Sequence, residues 1–322
     1  MVNDLVIDCH ADTLWKKYSI PLNPLLFAEK QELHASKDLL LQGKVDIQVF
    51  AIFIPPKLEK IGVEATLEMI SLAREWHKDG FTLIKSKNDF QKLNEKRENE
   101  IGMILSLEGT VALERNLQLL PIFYELGIRN IGLSWSRKNL FCEGTGISQS
   151  ENEMEGLSMY GKQLLEQMET LGIVVDISHL NKKGVTDVAK ITNKPYIASH
   201  SNAYNICPVD RNLTDDQLRL IADADGVVGI NFYPRFLSKE DPKKVTILNV
   251  IEHVKYITDL IGIRHVGLGS DFDGIGTTPK GLENASKIKD IPYLLEKEGF
   301  SKQDISKVMG GNFHRVFLKV WK

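Results

Sequence analysis

The chain has 322 residues, of which 43% are hydrophobic and 26% are charged, and its formal net charge is −3. This balance excludes the strongly basic field of a nucleic-acid-binding protein and the acidic composition of a disordered chain, so we expect a small molecule as its partner. The length fits one large domain, and we predict a single domain over residues 1–322.

Cysteine usage and the first residues predict the compartment. Cys9, Cys142 and Cys207 show no CxxC spacing, which fits a reducing compartment better than a disulfide framework. The sequence begins MVNDLVIDCH without a basic leader, and no apolar run reaches the roughly 18 residues of a membrane span. We therefore expect a cytoplasmic protein that binds no membrane. The sequence leaves open whether it forms a homodimer.

Eight short apolar runs are predicted to be strands, and they are continuous, as in parallel strands covered on both faces. They span 5–10, 45–54, 101–108, 128–135, 172–178, 195–200, 226–233 and 265–271. Helical patterns lie between most of them, among them 63–78, 157–171, 245–261 and 301–320, and Thr214 with Gln217 forms a capping pattern. This alternation predicts an α/β fold, a TIM-like (β/α)₈ barrel, with a doubly wound open sheet as the alternative.

Two neighbouring runs each end in a histidine, His179 and His200. A polar stretch of helical character separates them, so the two strands are most simply parallel neighbours with both histidines at the same edge of the sheet. In a (β/α)₈ barrel the carboxyl ends of the strands carry the chemistry. We therefore predict a metal site at this end of the barrel.

Other strand ends supply further metal donors. His10 and Asp12 are two residues apart at the end of the first run and share a face, and Glu108 ends the run MILSLEG. Each has an ordinary explanation, because a strand-end histidine is often only hydrogen-bonded and Glu108 could be a charge at a helix start. Their joint placement on one rim favours metal binding. The predicted ligands are His10, Asp12, Glu108, His179 and His200.

Five ligands exceed the three protein ligands plus water that are usual for one catalytic zinc ion. We therefore predict two metal ions sharing Glu108, one held also by His10 and Asp12, the other by His179 and His200. Such a pair lowers the pKa of a bridging water from about 15.7 toward about 7. Imidazole and carboxylate donors without thiolate suit two Zn²⁺ ions, and Co²⁺ or Mn²⁺ are alternatives.

The period of two along the first strand predicts where its other side chains point. Cys9 should face the helices, whereas Asp8 shares the parity of His10 and Asp12 and is a candidate to orient a ligand. Histidines outside the predicted strands are expected at the surface or in helix caps: His34, His77, His253 and His314.

Six segments resemble the membrane (renal) dipeptidase family, metallopeptidase family M19, over nearly the whole chain: VIDCHADTLW, SLEG, DISHL, ASHSNAYNICPVDRNLTDDQL, GVVGINFY and GLGSDFDG. The resemblance implies a TIM-like barrel with a binuclear zinc centre that hydrolyses dipeptides, including some with a D-residue at the carboxyl-terminal position. It implies the same five ligands. It also implies that Arg211 binds the substrate carboxylate and that Asp271 is the acid/base residue.

Both roles have a chemical reason. A guanidinium offers a planar fork of two donors to a carboxylate. An aspartate beside two cations can accept a proton from water and return it to the leaving amine. Arg211 could instead be a surface residue, and Asp273, which has the parity of Asp271, is a rival. We predict Glu108 and Asp271 as the catalytic residues.

One position departs from the family pattern. Many members carry a histidine in a segment resembling LTHSxxN, whereas this chain reads GLSWSRKN and has Trp135 there. An indole offers one N–H donor and no positive charge, so Trp135 could donate to the oxyanion or form an apolar wall of the pocket. Asn231 and Tyr233, at the end of the seventh run, are also predicted to line this pocket.

The predicted reaction is metal-assisted hydrolysis of the peptide bond of a small dipeptide. A hydroxide bridging two zinc ions is the expected nucleophile, and no covalent enzyme intermediate is needed. Other binuclear metallohydrolases are the alternative: an N-acyl amino-acid deacylase, a lactonase or a phosphodiester hydrolase. A non-catalytic binding protein is a third class, but retention of every ligand together with Asp271 argues against it.

Overall fold

The structure, a computed structural model, describes residues 5–19, 33–94, 99–146, 150 and 152–322. Its strands are β1 (Ile7–Ala11), β2 (Ile47–Phe53), β3 (Phe81–Leu83), β4 (Ile101–Glu108), β5 (Ile128–Gly132), β6 (Val174–Asp176), β7 (Ile197–Ala198), β8 (Val227–Ile230) and β9 (Val266–Leu268). All the predicted runs contain a strand. The short β3 was not predicted.

Helices follow most of the strands. They are α1 (Thr13–Ser19), α2 (Lys37–Gln42), α3 (Gly62–Glu75), α4 (Lys87–Asn94), α5 (Leu120–Leu126), α6 (Met159–Leu171), α7 (Lys182–Ile191), α8 (Asp215–Asp223), α9 (Pro234–Leu237), α10 (Ile247–Ile261), α11 (Ile291–Lys297), α12 (Lys302–Ser306) and α13 (Asn312–Val320). A π-helical segment, Lys307–Gly311, joins α12 to α13. The four helical patterns of the sequence therefore correspond to α3, α6, α10 and the α12–α13 pair.

The strands of the described residues form a closed parallel barrel. They pair in the order β2–β1–β9–β8–β7–β6–β5–β4–β3, and β2 also pairs with β4. That last pairing closes a ring of eight strands. On the other edge of β4, β3 pairs with its first residues and β5 pairs with its later residues. The TIM-like (β/α)₈ barrel is confirmed, and the open sheet is excluded.

Apolar side chains pack in two layers. The outer layer joins Leu105 of β4 to Met69 of α3 in one cluster. The inner layer groups Ile104 of β4 with Phe313 of α13. A Cβ on Gly267 of β9 would lie 2.4 Å from the ring of Phe313, so only glycine lets α13 pack this closely. This packing fills the barrel below the carboxyl ends of its strands, where the polar residues collect.

Two further features of the described residues bear on the sequence analysis. The capping pattern is confirmed: the Thr214 hydroxyl accepts a hydrogen bond from the Gln217 N–H, and the Gln217 side chain accepts one from the Thr214 N–H. The capped helix, α8, fixes the end of the loop that carries Arg211. Among these residues, no helix has both the length and the apolar character needed to traverse a lipid bilayer.

Candidate metal centre

The five side chains predicted as ligands converge at the carboxyl ends of the barrel strands. His10 lies in β1 and Asp12 directly follows that strand, while Glu108 is the last residue of β4. His179 and His200 lie just beyond β6 and β7. All five side chains are buried, so these polar groups need partners.

Glu108 lies at the centre of this group. Its Oε1 is 3.0 Å from Nε2 of His179 and 3.7 Å from Nε2 of His200. Its Oε2 is 3.8 Å from Nε2 of His10, and that nitrogen is 3.5 Å from Oδ2 of Asp12. The two carboxylate oxygens of Glu108 therefore face different ligand pairs, as a carboxylate shared by two cations would.

The donor atoms fall into overlapping sets with the spacing of a metal site. One set is His10, Asp12 and Glu108, and another is Glu108, His179 and His200. Within each set the donor atoms all lie within 4.8 Å of one another. Nitrogen and oxygen donors without sulfur suit zinc and other divalent first-row cations.

Buried atoms without hydrogen-bond partners indicate that this donor cluster fits a cation. Both ring nitrogens of His10 and Oδ1 of Asp12 are buried without a hydrogen-bond partner among the described residues. Gly274 leaves space beside them, because a Cβ there would lie 2.1 Å from Oδ2 of Asp12 and 2.5 Å from Oδ1 of Asp271. The cluster therefore has unsatisfied donors together with a space that a larger residue would fill.

The electrostatics of the cluster favour positive charge. Burial raises the pKa of Glu108 well above its ordinary value, and the charge of Asp12 raises it further. Burial alone would lower the pKa of His10, but the carboxylates of Glu108 and Asp12 outweigh it and raise that pKa to about 10. Closely buried carboxylates repel one another, and a bound cation would relieve this repulsion.

Serine hydroxyls fix the rings of the other two histidines. Oγ of Ser136 lies 2.8 Å from Nδ1 of His179, and Oγ of Ser199 lies 2.7 Å from Nδ1 of His200. The Nε2 atoms of the two histidines face each other at 3.0 Å. Burial lowers the pKa of both rings well below the ordinary value, so both are neutral at neutral pH, as metal-binding imidazoles are.

An irregularity in β1 overturns two predictions about side-chain direction. The register of β1 with β2 shifts between Asp8 and Ala11. The side chains before this shift therefore point to the face opposite to the one that strict alternation from His10 and Asp12 predicts. Cys9 therefore joins the inner cluster with Ile7 instead of facing the helices. Asp8 accepts hydrogen bonds from the N–H and hydroxyl of Ser270 at 2.8 and 2.6 Å. It ties β1 to the segment after β9 rather than orienting a ligand ring.

Asp271 lies beyond β9, beside the ligands. It forms a third donor set with His10 and His200. Its Oδ2 accepts a hydrogen bond from Nδ2 of Asn231 at 2.9 Å. Burial raises its pKa to about 7, so the carboxyl group can both accept and release a proton near neutral pH.

Asp273, the rival of Asp271, is engaged by the segments that follow β1. Its carboxylate accepts hydrogen bonds from the Thr13 hydroxyl at 2.6 Å, Nζ of Lys16 at 2.9 Å and the backbone N–H of His34 at 2.7 Å. These contacts hold a loop of the rim in place. They leave Asp271 as the carboxylate better placed for acid/base chemistry.

Backbone strain also concentrates here. His179, Asp271 and Asp273 have φ angles of 70°, 62° and 70°, in the left-handed region that non-glycine residues rarely adopt. Such conformations persist where the surrounding structure imposes them, and they cluster at functional sites.

Arg211 is not a surface residue, since only 7% of it is exposed. Its Nη1 donates to Oγ of Ser201 and its Nη2 to the carbonyl of His200, both at 2.8 Å. Burial lowers its pKa to about 10, so the guanidinium stays positively charged at neutral pH. These contacts fix a cation at the edge of the candidate site.

A cavity of about 360 Å³ opens over the donor cluster. Trp135 and Tyr233 line it, together with Arg211 and Asp271. Asn231, which was also predicted to line the pocket, does not: it is buried, and its Oδ1 accepts the N–H of Tyr233 at 2.6 Å. The cavity is large enough for a small polar ligand.

Several residues of this cavity were not predicted from the sequence, among them Trp15, Phe53, Ser136 and Phe236. Phe53 is the last residue of β2 and is in register with Glu108 of β4, so its position at a strand end is the sequence signal that places it on this rim. Trp15 lies in α1, directly after the first ligands, and offers a weaker signal. Nothing in the local sequence distinguishes Ser136 from an ordinary loop serine.

Two known proteins described as dipeptidases are similar to this chain over most of its length. The chain is 32% identical over 302 residues to the dipeptidase aclJ of Aspergillus oryzae, which covers 90% of this chain and 71% of that protein. It is also 32% identical over 341 residues to an uncharacterized dipeptidase of Schizosaccharomyces pombe, with 98% of this chain and 80% of that protein covered.

Solved structures are similar over almost the full chain. A metallopeptidase of Rhodobacter sphaeroides, liganded with a phosphinate mimic of the dipeptide L-Ala-D-Ala, has a TM-score of 0.88 at 28% identity, covering 98% of this chain and 99% of that one. A dipeptidase of family M19 has a TM-score of 0.88 at 29% identity, covering 98% of each chain. The family model described as membrane dipeptidase (peptidase family M19) matches residues 1–322. The chain therefore belongs to the membrane dipeptidase family, peptidase family M19, a family of metal-dependent dipeptidases.

Proposed function

We propose that this chain hydrolyses the peptide bond of dipeptides with two zinc ions bound at the carboxyl ends of the barrel strands. The observation that carries the proposal is the position of Glu108, whose two oxygens face different pairs of ligands. A single ion would need only one of these pairs together with Glu108.

His10 and Asp12 would hold one ion, His179 and His200 the other, and Glu108 would bind both. When bound, the ions supply a water of lowered pKa and polarise the peptide carbonyl. The donor set supports zinc because it contains imidazole and carboxylate without thiolate, although cobalt and manganese accept the same donors.

The chain's own residues would bind the substrate and move the proton. Arg211 carries a fixed positive charge at the cavity edge, which suits the free carboxylate of a dipeptide. Asp271 would accept the proton of the attacking water and pass it to the departing amine, since its raised pKa lies near neutrality. Glu108 and Asp271 are thus the proposed catalytic residues, and Trp135 and Tyr233 would contact the substrate.

We further propose that dipeptides with a carboxyl-terminal D-residue are substrates. The supporting observation is the similarity to the Rhodobacter sphaeroides metallopeptidase, whose ligand mimics L-Ala-D-Ala. The whole chain would act as one catalytic domain, because strands from Ile7 to Leu268 contribute to one ring.

A substrate panel tests the proposal. L,L- and L,D-dipeptides, N-acyl amino acids, lactones and phosphodiesters are incubated with the purified protein, with and without a chelator and added zinc. We expect turnover of dipeptides that the chelator abolishes and zinc restores. Turnover confined to one of the other substrate classes would reassign the reaction, and dipeptide turnover that resists metal depletion would contradict the metal centre.

A further inference from the structure

We infer that Trp15, Phe53 and Trp135 form an aromatic wall that selects dipeptides with a large apolar side chain on the amino-terminal residue. This inference rests on the proposed dipeptidase function. The aromatic wall is defined by these three residues, all of which line the cavity over the donor cluster.

The three rings form a continuous surface. The centroid of Phe53 lies 5.9 Å from that of Trp15, with the planes at 88°, and 5.3 Å from that of Trp135, with the planes at 50°. Such distances and angles are typical of packed aromatic pairs. Each ring is only partly buried, so apolar surface remains open to the cavity. A contiguous apolar face inside a ligand-sized cavity is suited to an apolar group of the ligand.

The aromatic wall lies across the barrel from Arg211, which is proposed to bind the substrate carboxylate, and from Asp271, which is proposed to move the proton. In the closed ring of eight strands, β2 lies opposite β7, and β5 lies opposite β9. Phe53 is the last residue of β2 and therefore lies across the barrel from Arg211, which lies in the loop after β7. Trp135 follows β5 and therefore lies across the barrel from Asp271, which follows β9.

This arrangement orients a dipeptide in the cavity. Two extended residues span only about 7 Å, so a dipeptide whose carboxylate is held by Arg211 places its peptide bond over the donor cluster. The amino-terminal residue then lies on the far side, against the aromatic wall. The ring centroid of Trp135 is 6.0 Å from that of His179, which brings the wall next to the reacting carbonyl.

A second aromatic pair belongs to the other residue of the substrate. Tyr233 and Phe236 pack edge to face with centroids 4.8 Å apart, and both line the cavity. They follow β8, which lies beside β7 in the ring and on the Arg211 side. Changes at Trp135 should therefore affect selection of the first residue of a dipeptide and leave selection of the second residue unaltered.

The test compares kcat/KM for four dipeptides with the zinc-loaded enzyme. The ratio of phenylalanyl-alanine to glycyl-alanine reports the first position, and the ratio of alanyl-phenylalanine to alanyl-glycine reports the second. Trp135→Ala should lower the first ratio at least about tenfold, because even one methylene in an apolar pocket changes kcat/KM by roughly tenfold or more. It should leave the second ratio within about twofold of wild type.

Conservative and remote variants complete the design. Trp135→Phe keeps an apolar ring and should retain most of the first ratio, while Phe53→Ala should lower it as Trp135→Ala does. Tyr293→Ala, at an aromatic residue that is 58% exposed and lies outside the cavity lining, should change neither ratio. Circular dichroism and zinc content are measured for every variant to confirm folding and metal loading.

The outcomes separate the two levels of the proposal. The aromatic wall is overturned if the first ratio is near one in the wild type. It is also overturned if the first ratio is unchanged in folded Trp135→Ala and Phe53→Ala variants. In both cases dipeptide turnover still supports the proposed function. A fall in the second ratio instead of the first would show that the aromatic wall contacts the carboxyl-terminal residue of the dipeptide, which contradicts the inference. Absence of turnover for every dipeptide with zinc bound would overturn the proposed function itself.

Discussion

Oδ1 of Asp176, the last residue of β6, accepts a hydrogen bond from the backbone N–H of Ser199, just beyond β7, at 2.9 Å. The same oxygen accepts the N–H of Ser178, also at 2.9 Å. One buried carboxylate oxygen therefore joins the two strand ends that lead into His179 and His200. The spacing of these histidines depends on this contact as well as on the short pairing of β6 with β7.

Replacement of Asp176 by Ala should destabilise the protein, because it leaves two buried N–H groups without an acceptor. Each unsatisfied group costs about 1–3 kcal/mol, so we expect a loss of about 2–6 kcal/mol in the free energy of unfolding. Asp176→Asn retains an acceptor oxygen, so its free energy of unfolding should fall clearly less than that of Asp176→Ala. Urea unfolding measures both variants, and equal losses would show that the charge of Asp176, rather than its acceptor oxygen, is what matters.

The barrel and the convergence of the candidate ligands could be predicted from the sequence because both follow from strong local patterns. Each of the eight barrel strands is a short apolar run, and His10, Glu108, His179 and His200 lie at or just beyond the ends of such runs. Once the strands are parallel and form one ring, all of these ends meet at the same rim. The convergence at Glu108 follows from topology and needs no detailed packing.

Features that depend on tertiary contacts could not be predicted. The register shift in β1 reverses the direction of Asp8 and Cys9, and no residue type in VIDCHAD marks it. His253 was expected at the surface, but it is fully buried in α10, where it accepts the N–H of Ala203 and bonds the carbonyl of Leu237. That expectation was wrong, because an imidazole with both nitrogens bonded can be buried at little cost.

Glu108→Gln should remove at least one of the two proposed metal ions, because an amide cannot supply the negative charge that two cations would share. We expect two zinc ions per chain in the wild type and at most one in the variant after loading and gel filtration. Elemental analysis of both proteins measures this. Glu298→Gln, which removes only a surface pair with Lys255, provides the control and should retain the wild-type content.

Arg211→Ala should raise KM for dipeptides roughly 10–100-fold while the zinc content stays unchanged, because a charge-assisted hydrogen-bond pair to the substrate carboxylate is lost. Arg211→Lys keeps the charge without the planar fork and should be intermediate. Steady-state kinetics and metal analysis are measured together. Loss of zinc in the Ala variant would show that the contacts of Arg211 with Ser201 and the His200 carbonyl support the ligands instead.

Asp271→Asn should change how the stability of the metal-depleted protein depends on pH. Burial raises the pKa of Asp271 from 3.8 to about 7, so between these values the folded state keeps a proton that the unfolded state has released. The protonated Asp271 carboxyl therefore contributes to the free energy of unfolding at low pH. This contribution, at most about 4 kcal/mol, is lost as the pH rises from about 4 to about 7. Unfolding of both proteins across this range should show wild type losing stability relative to the variant; parallel curves would contradict the raised pKa.

The same variant should lose activity when zinc is bound. Asparagine tolerates the φ of 62° at this position, so the backbone should be retained, but the amide cannot take up a proton. We expect kcat to fall by roughly 10²–10⁴, the usual contribution of a general acid or base. A variant with zinc content and kcat both near the wild-type values would exclude Asp271 from proton transfer.

Zinc titration of the metal-depleted chain, followed by hydrolysis of an alanyl dipeptide, tests the binuclear centre most directly. If Glu108 joins two ions, activity should rise until two equivalents of zinc are bound per chain and then remain constant. Full activity at one equivalent, or dipeptide hydrolysis by the chain without any divalent ion, would contradict it.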